Sequence, residues 1–171
     1  MKSDPSPTGQ EAVRQRLLPL LTDQDFLDEF AGPGQPRGGR RLYTDDETGF
    51  AVVIYIGLPG RGESPPHDHG LDWAIYGQSR MRTAMRDFEI VDGDAWDPNA
   101  ELKETAVYNL DPGDARLYLV GDIHSINPVV DCVYVRIAGS PADHFTPVGK
   151  MPDEVARIWL PFATDRPAKP D

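Results

Sequence analysis

The sequence predicts an all-β domain, a sandwich or barrel, preceded by a short helical segment. From Arg40 onward, short runs rich in β-branched and aromatic residues follow one another, nearly all separated by turn signals such as Asp111-Pro112-Gly113-Asp114. No intervening run has helical periodicity, and many short strands without helices between them are typical of sandwiches and barrels. The predicted strands are residues 50–56, 73–76, 81–85, 88–91, 104–110, 115–120 and 129–137.

The residues before Arg40 follow a different pattern. Apolar residues recur at helix-like spacing over residues 11–30, but Pro19 and the polar stretch Thr22-Asp23-Gln24 interrupt them, which predicts two short helices. Residues 31–39 are rich in glycine and proline and are predicted to form a linker. The predicted divisions of the chain are a leader with short helices and a linker (1–39), a barrel (40–139) and a C-terminal extension (140–171).

Length, charge and cysteine content limit the classes of function. With 171 residues the chain suits one domain that buries a continuous core. Its 17 Lys and Arg against 28 Asp and Glu give a net charge of -11, which argues against binding nucleic acid or an anionic membrane through bulk electrostatics. The single cysteine, Cys132, lies in an apolar run, which excludes a disulfide framework and predicts a buried side chain in a reducing compartment. No stretch resembles a secretory signal or a membrane span, so we expect a cytoplasmic protein.

Two histidines, His67 and His69, stand one residue apart, and His124 lies downstream. In an extended strand, residues i and i+2 project from the same face, so His67 and His69 can direct both imidazoles at one point. A third imidazole from a distant strand would complete a facial set of three nitrogen ligands and leave the opposite positions open. The alternative is a coincidence of spacing, although three of the 4 histidines of the chain fall into this arrangement. The sequence therefore predicts a metal site at these three histidines.

The surroundings of the histidine pair resemble the first motif of the cupin superfamily, whose small β-barrels hold a metal inside the barrel. That motif is a glycine-led turn, an HxH pair, a glutamate and a closing glycine. Here the pair is His67 and His69, and the closing glycine is Gly77. The glutamate is absent, since Trp73 occupies its expected place, and the nearby Asp72 is the candidate substitute.

The second cupin motif is matched around the third histidine. The spacing from Gly113 through Gly121 to His124 is kept, and Asn127 follows. Together, the two motifs resemble the cupin pattern closely enough to imply a cupin fold. Such a fold is a double-stranded β-helix of jelly-roll type, in which the three histidines would be the metal ligands.

Within the cupins, the chain resembles the thiol dioxygenases, which include cysteine dioxygenase and 3-mercaptopropionate dioxygenase. The best local match is Arg41-Leu42-Tyr43, followed by residues 49–55 and the histidine pair. The missing glutamate fits this resemblance, because three neutral imidazoles leave Fe(II) with its full charge and with room for an anionic substrate and O₂. The resemblance implies that Arg41 binds the substrate carboxylate, whereas the alternative is a solvated charge at a strand edge.

Thiol dioxygenases usually carry a serine-histidine-tyrosine relay on the last strand, and the matching stretch Val135-Arg136-Ile137-Ala138-Gly139 lacks it. Another tyrosine is then expected to supply the proton donor. Tyr43 and Tyr76 are the candidates for this catalytic role, and Tyr55 and Tyr134 are the alternatives.

Three further side chains have two interpretations each. His144 is either a base near the site or a histidine on a surface loop. Asp68 and Asp72 either orient the ligand imidazoles by accepting their distal N–H groups or are charges in a turn.

The sequence thus predicts a mononuclear non-haem Fe(II) dioxygenase that oxidises a small thiol carboxylate to a sulfinate with O₂. One alternative is a metal-dependent cupin that acts on an oxygen-chelating substrate, such as a diketone, an enolisable acid or a sugar derivative. A second alternative is a cupin that senses a metal or ligand without turnover. Ni or Zn could replace iron on purification, and a homodimer is a further expectation.

Overall fold

The computed structural model describes residues 6–45, 48–57, 62–70, 72–93 and 100–139. The predicted C-terminal extension, with His144, lies outside them. The elements in chain order are α1 (Pro7–Leu17), a 3₁₀ helix (Leu18–Thr22), α2 (Gln24–Ala31), β1 (Gly38–Thr44), β2 (Ala51–Ile56), β3 (Trp73–Arg80), β4 (Thr83–Asp92), β5 (Glu101–Leu110), β6 (Ala115–Tyr118), β7 (Ile123–Pro128) and β8 (Val133–Gly139). Strands dominate and the helices precede them, which confirms the predicted all-β domain with a short N-terminal helical segment.

The described strands form two antiparallel sheets. One has the order β1-β2-β8-β3-β6 and the other has the order β5-β4-β7. The chain crosses from the first sheet to the second after β3 and again after β6. Side chains from both sheets meet in one buried group, the inner cluster, which consists of Ala74, Tyr76, Met85, Leu110, Tyr118, Cys132 and Tyr134. The two sheets therefore enclose a common interior, and the burial predicted for Cys132 is confirmed.

The N-terminal helices cover the opposite face of the five-stranded sheet. Their leucines pack with alternate residues of the sheet in a second group, the outer cluster, which consists of Leu17, Leu21, Leu27, Ala31, Ile54, Trp73, Ile75, Val133, Val135 and Ile137. Strand β3 is consequently buried on both faces, with Ile75 toward the helices and Tyr76 toward the interior. Burial of each large apolar side chain stabilises the fold by about 1.5–3 kcal/mol.

Gly77 of β3 permits this close packing of the helices. A Cβ atom at Gly77 would lie 2.7 Å from Leu17 Cδ2 and 2.8 Å from Leu21 Cδ2. Carbon atoms pack at about 3.5–4.0 Å, so a larger residue would force the ends of these two leucine side chains to move. The glycine that closes the first motif thus has a packing role in this fold.

The break between the two helices falls where the sequence predicts it. Pro19 lies in the 3₁₀ helix, and α2 begins after Asp23, whose Oδ1 accepts a hydrogen bond from the Phe26 N–H at 2.8 Å. The first helix begins at Pro7, before the predicted start, because proline suits the first helical position and Ser6 caps the helix. No helix within the described ranges has the length and apolar character needed to cross a bilayer.

Three strand predictions differ from the structure. The predicted strands do not include β1, which begins at Gly38 within the predicted linker. The predicted strands at 81–85 and 88–91 form the single strand β4, whose register shifts between Asp87 and Phe88. The sequence does not predict β7, which contains histidine, serine, asparagine and proline. This segment is a strand because β4 pairs with it on one side and residues 64–67 hydrogen bond to it on the other. Tertiary pairing therefore overrides local propensity there.

Candidate metal centre

The structure brings together the three predicted histidines. One ring nitrogen each from His67, His69 and His124 lies within 4.8 Å of the others. The imidazole centroids are 5.6 Å apart for His67 and His69, 4.5 Å for His67 and His124, and 4.9 Å for His69 and His124. Zinc and similar ions bind imidazole nitrogen at about 2.0–2.1 Å, so small side-chain rotations suffice to place all three nitrogens on one ion.

Backbone hydrogen bonds explain how distant motifs meet. The His67 N–H donates to the His124 carbonyl and the His124 N–H donates to the His67 carbonyl, both at 2.9 Å. Two residues further along β7, the Ile126 carbonyl accepts a hydrogen bond from the Ser64 N–H at 2.8 Å. The segment that carries the histidine pair therefore runs along β7 like an additional strand. Alternation along it turns His67 and His69 to one side, toward His124, as their spacing predicts.

Burial keeps the three imidazoles neutral, which is the form that binds a metal. Burial, together with the neighbouring imidazoles and the positive charge of the nearby Arg136, lowers the pKa of His69 to about 3 and the pKa of His124 to about 2. Burial also lowers the pKa of His67. His67 Nδ1 donates to the Pro65 carbonyl at 3.0 Å, which leaves the Nε2 lone pair available to an ion.

His124 carries the clearest sign that the cluster suits a metal. Its side chain is fully buried, and neither ring nitrogen makes a well-aligned hydrogen bond among the described residues, although the Asp122 backbone lies near enough to raise its pKa slightly. An unsatisfied buried polar group costs about 1–3 kcal/mol, and a metal bond would remove that cost. The residues present therefore fit a bound metal ion.

Within the described ranges, no carboxylate joins the histidine cluster. Asp68 is fully buried, and its Oδ1 accepts a hydrogen bond from the Gly70 N–H at 3.0 Å. Asp72 stands in the turn after the pair, where its N–H donates to the His69 carbonyl at 3.1 Å. The cluster is thus a neutral set of three nitrogens, and Asp72 does not replace the missing glutamate. The orienting roles of Asp68 and Asp72 stay predictions.

Tyr76 lies at the cluster, whereas Tyr43 does not. The Tyr76 hydroxyl is 3.2 Å from His69 Nε2, and burial raises the pKa of Tyr76, so the hydroxyl keeps its proton at neutral pH. Tyr43 is 54% exposed and sets its ring against Phe50, which packs on the outer cluster. The register of β1 shifts between Arg41 and Tyr43, and such a bulge changes the face that the next residues occupy. The two predicted tyrosines therefore lie on opposite faces of the sheet.

Arg41 lies on the side of the sheet that faces the histidines, but at its edge. It pairs with Val53 of β2, which pairs with Arg136 of β8, and Arg136 pairs with Tyr76 of β3. Paired residues share a face, so Arg41 shares the face of Tyr76, with two strands between them. Its side chain is exposed on the edge strand β1. The structure places no histidine of the cluster in contact with it.

Sequence reasoning missed Arg136, which lies on β8 next to Tyr76 of β3. Its positive charge lowers the pKa of His69, and as a hydrogen-bond donor it opposes the burial that raises the pKa of Tyr76. The Arg136 Nε is buried without a hydrogen-bond partner. The signal was present in β8, where Tyr134 and Arg136 alternate with apolar residues that face the helices.

Tyr118, also missed, supports the far side of His124. Its ring stacks on the imidazole with centroids 3.9 Å apart and an interplanar angle of 20°. The Tyr118 hydroxyl is 2.6 Å from the Tyr108 hydroxyl. Asp87 Oδ1 accepts a hydrogen bond from Tyr118 at 3.2 Å and one from Tyr108 at 3.0 Å. The stack on Tyr118 therefore helps to set the plane of this imidazole.

Comparison with known proteins supports the fold and does not identify an activity. No family model and no curated protein sequence matches the chain. A solved structure of L-ribose isomerase from Cellulomonas parahominis matches with a TM-score of 0.50 and 14% identity, over 72% of this chain and 69% of that one.

Two further solved structures match less closely. Hydroquinone 1,2-dioxygenase from Sphingomonas sp. TTNP3 has a TM-score of 0.47 and 14% identity, over 66% of this chain and 71% of that one. A protein with a double-stranded β-helix domain from Klebsiella pneumoniae has a TM-score of 0.41 and 16% identity, over 72% of this chain and 95% of that one. Identities this low speak for the fold alone. With its two facing antiparallel sheets, this chain has the predicted double-stranded β-helix fold.

Proposed function

We propose that this protein is a mononuclear non-haem Fe(II) dioxygenase that oxidises a small thiol carboxylate to a sulfinate. The observation that carries the proposal is the buried cluster of three neutral imidazoles, which no described carboxylate joins. Such a ligand set leaves the charge of a divalent ion uncompensated, so the ion favours an anionic ligand such as a thiolate. Facial nitrogen ligands with open positions opposite them are typical of iron sites that use O₂.

In this reaction the thiol sulfur takes both atoms of one O₂ molecule. The sulfur loses four electrons and O₂ gains four, so the sulfinate forms without a further reductant. When bound, the iron would supply the site at which the thiolate and O₂ meet. His67, His69 and His124 would hold it, as the sequence predicts.

The chain's own residues then perform two further tasks. The Tyr76 hydroxyl, which stays protonated and lies beside His69, offers a hydrogen bond to a ligand in the site. The apolar members of the inner cluster, such as Met85 and Leu110, keep water out of the interior. Exclusion of water strengthens each electrostatic interaction between the site and an anionic substrate.

The remaining parts of the proposal concern partners and location. The partners are a small thiol or another small anionic substrate and O₂. Nucleic acid and anionic membranes are not partners, because the net charge of -11 would repel them. A homodimer and a cytoplasmic location complete the proposal.

A second candidate keeps the metal and changes the substrate to one that chelates through two oxygens. The absent relay favours it, since Arg136 stands where the thiol dioxygenases carry a hydroxyl or imidazole. An arginine and a tyrosine beside a metal suit a negatively charged oxygen ligand as well as a thiol carboxylate. Oxidation of acetylacetone, without any response to thiols, would favour this candidate.

The experiment is O₂ uptake by anaerobically Fe(II)-loaded protein with 3-mercaptopropionate, cysteine, mercaptosuccinate and cysteamine. We expect uptake with at least one of the carboxylate thiols, in a one-to-one ratio with sulfinate measured by mass spectrometry. Cysteamine, which lacks a carboxylate, should be the poorest substrate. The variant Arg82→Ala, which changes an exposed arginine, serves as the control, and its O₂ uptake should match that of the parent protein. Silence with every thiol at full iron occupancy would reject the proposal.

A further inference from the structure

We infer that Arg136 and the Tyr76 hydroxyl form an anion site inside the barrel, which binds the carboxylate of a small ligand beside the histidine cluster. The inference rests on the proposed metal site but not on thiol oxidation, so it holds for any small carboxylate ligand. It assigns the carboxylate to β8, whereas the family resemblance assigns it to Arg41 on β1.

The strand register directs Arg136 toward the interior. Arg136 pairs with Tyr76 of β3 in the antiparallel ladder, and paired residues share a face of the sheet. Tyr76 belongs to the inner cluster, and its hydroxyl lies 3.2 Å from His69 Nε2. The neighbouring residues Val135 and Ile137 face the helices on the other side. The guanidinium therefore enters the same interior as the histidines.

Arg136 lacks the partner that an interior arginine normally has. Its Nε is buried without a hydrogen bond, and no ion pair within the described ranges joins the guanidinium to a carboxylate. Four of the five arginines in the described ion pairs are exposed, as Arg86 is with Glu104, whereas Arg136 is partly buried. An interior cation without a counter-ion is costly unless a ligand supplies the negative charge. Since no described residue supplies this charge, Arg136 is suited to bind an anion from solution.

The chemistry of the two donors specifies the ligand. A guanidinium presents a planar fork that matches the two oxygens of a carboxylate, and the bonds that result are charge-assisted. The hydroxyl of Tyr76 adds a third donor on the same side of the sheet. Both donors face an interior that also contains the histidines, so the ligand is a small molecule that reaches the metal position and Arg136 at once.

Arg41 is less suited to this task. It lies on the edge strand β1 with an exposed side chain, and β2 stands between it and Arg136. An exposed ion pair contributes little, because water screens it and both side chains are free to move. The two arginines share one face of the sheet, which makes them a matched pair for a test.

The test measures binding to Zn(II)-loaded protein by calorimetry, since zinc binds the site without redox chemistry. The ligands are 3-mercaptopropionate, propionate and propane-1-thiol, and the variants are Arg136→Met, Arg136→Lys and Arg41→Met. We expect Arg136→Met to weaken the binding of 3-mercaptopropionate and propionate by about 10- to 100-fold. The affinity for propane-1-thiol should not change. Arg136→Lys should recover part of the loss. The affinity of Arg41→Met for each ligand should stay within about twofold of that of the parent protein.

Several results would overturn the inference. These are absence of carboxylate binding to the parent protein, an unchanged affinity in Arg136→Met, an equal loss for propane-1-thiol, or a larger loss in Arg41→Met. Thermal unfolding of the metal-free protein gives an independent check. Arg136→Met should unfold at the same or a higher temperature, because it removes an unpaired charge, whereas a structural arginine would lower that temperature.

Failure of this inference and failure of the proposed function are distinguishable. Carboxylate binding that depends on Arg136, without O₂ uptake for any thiol, rejects the thiol chemistry and retains the anion site. Thiol oxidation with an unchanged KM in Arg136→Met rejects the anion site and retains the dioxygenase.

Discussion

The two faces of the five-stranded sheet are built from the same strands and differ in what they contain. Toward the helices, β3 and β8 present Ile75, Val135 and Ile137, all within the apolar outer cluster. Toward the interior, the alternate positions of the same strands carry Tyr76 and Arg136. The outer face has apolar partners from the helices and one described polar atom without a partner, Arg40 Nε, beside α2. On the inner face, the Nε of Arg136 is buried without a partner next to the histidine cluster.

This difference separates stability from function along a single strand. The apolar side chains of the outer face are packed against the helices. We therefore expect substitutions there to change the free energy of unfolding and to leave ligand binding intact. The interior between the two sheets contains groups that cost stability when poorly satisfied, namely the nitrogens of His124 on β7 and the Nε of Arg136 on β8. Native proteins retain such groups where a ligand completes them. The comparison therefore assigns the fold's stability to the outer cluster and its chemistry to the interior.

The largest effect is expected from removing an inner ligand. His124→Ala should weaken binding of Zn(II) or Co(II) by about 100-fold or more, because one of three imidazole bonds is lost. Competition against a chromophoric chelator measures the affinity. The folded state of the metal-free variant should persist, since the change removes an unsatisfied polar group. Retention of parental metal affinity would show that His124 is not a ligand.

Leu21→Ala is the matched change on the outer face. Leu21 is fully buried against Gly77, so its truncation should lower the free energy of unfolding by about 2–5 kcal/mol in urea titrations. Metal affinity of the variant should match the parent protein at temperatures where both are folded. A parallel loss of metal affinity would show that the two faces are coupled, contrary to the comparison.

The pH dependence of stability should come from the inner face. The unfolded chain binds protons on histidine near pH 6.5, whereas the folded protein keeps His69 neutral to about pH 3. Below pH 6.5 the unfolded state therefore holds more protons, and the metal-free protein loses stability by up to about 1.4 kcal/mol per pH unit for each such histidine. Urea unfolding of the parent protein and of His69→Gln between pH 4.5 and 7.5 measures this slope. Equal slopes in both proteins would contradict the assignment.

The smallest effect on metal affinity is expected when the tyrosine ring that stacks on His124 is removed. Tyr118→Leu removes the stacked ring and should weaken metal binding by about tenfold, whereas Tyr118→Phe keeps the ring and should change it less. The visible spectrum of the Co(II) protein should shift in the leucine variant alone. Tyr43→Leu, which removes an exposed ring from the outer face of the sheet, is the control. Equal effects of Tyr118→Leu and Tyr118→Phe would assign the role to the hydroxyl instead.

The sequence predicts much of this arrangement, because two of its patterns are local. The spacing of His67 and His69 follows from the alternation of an extended chain, and the turn signals separate most strands correctly. The helical segment and its break at Pro19 likewise follow from local chemistry. These features depend on neighbours in sequence and are therefore visible without the fold.

The features that the sequence did not predict depend on tertiary pairing. The face of Tyr43 depends on a register shift in β1, and one extra residue there is enough to turn it to the outer side. The role of Arg136 depends on which strand lies beside β8, and the stack of Tyr118 on His124 joins the two sheets. Strand β7 is held by its partners rather than by its own propensity.

The most direct test of the central claim is X-ray absorption at the iron edge of the Fe(II)-loaded protein, without and with 3-mercaptopropionate. We expect one iron per chain with three imidazole nitrogens, and a sulfur scatterer that appears when the thiol is added. Fewer than three imidazoles would contradict the histidine centre. Three imidazoles without sulfur after addition of the thiol would retain the centre and contradict the thiol substrate.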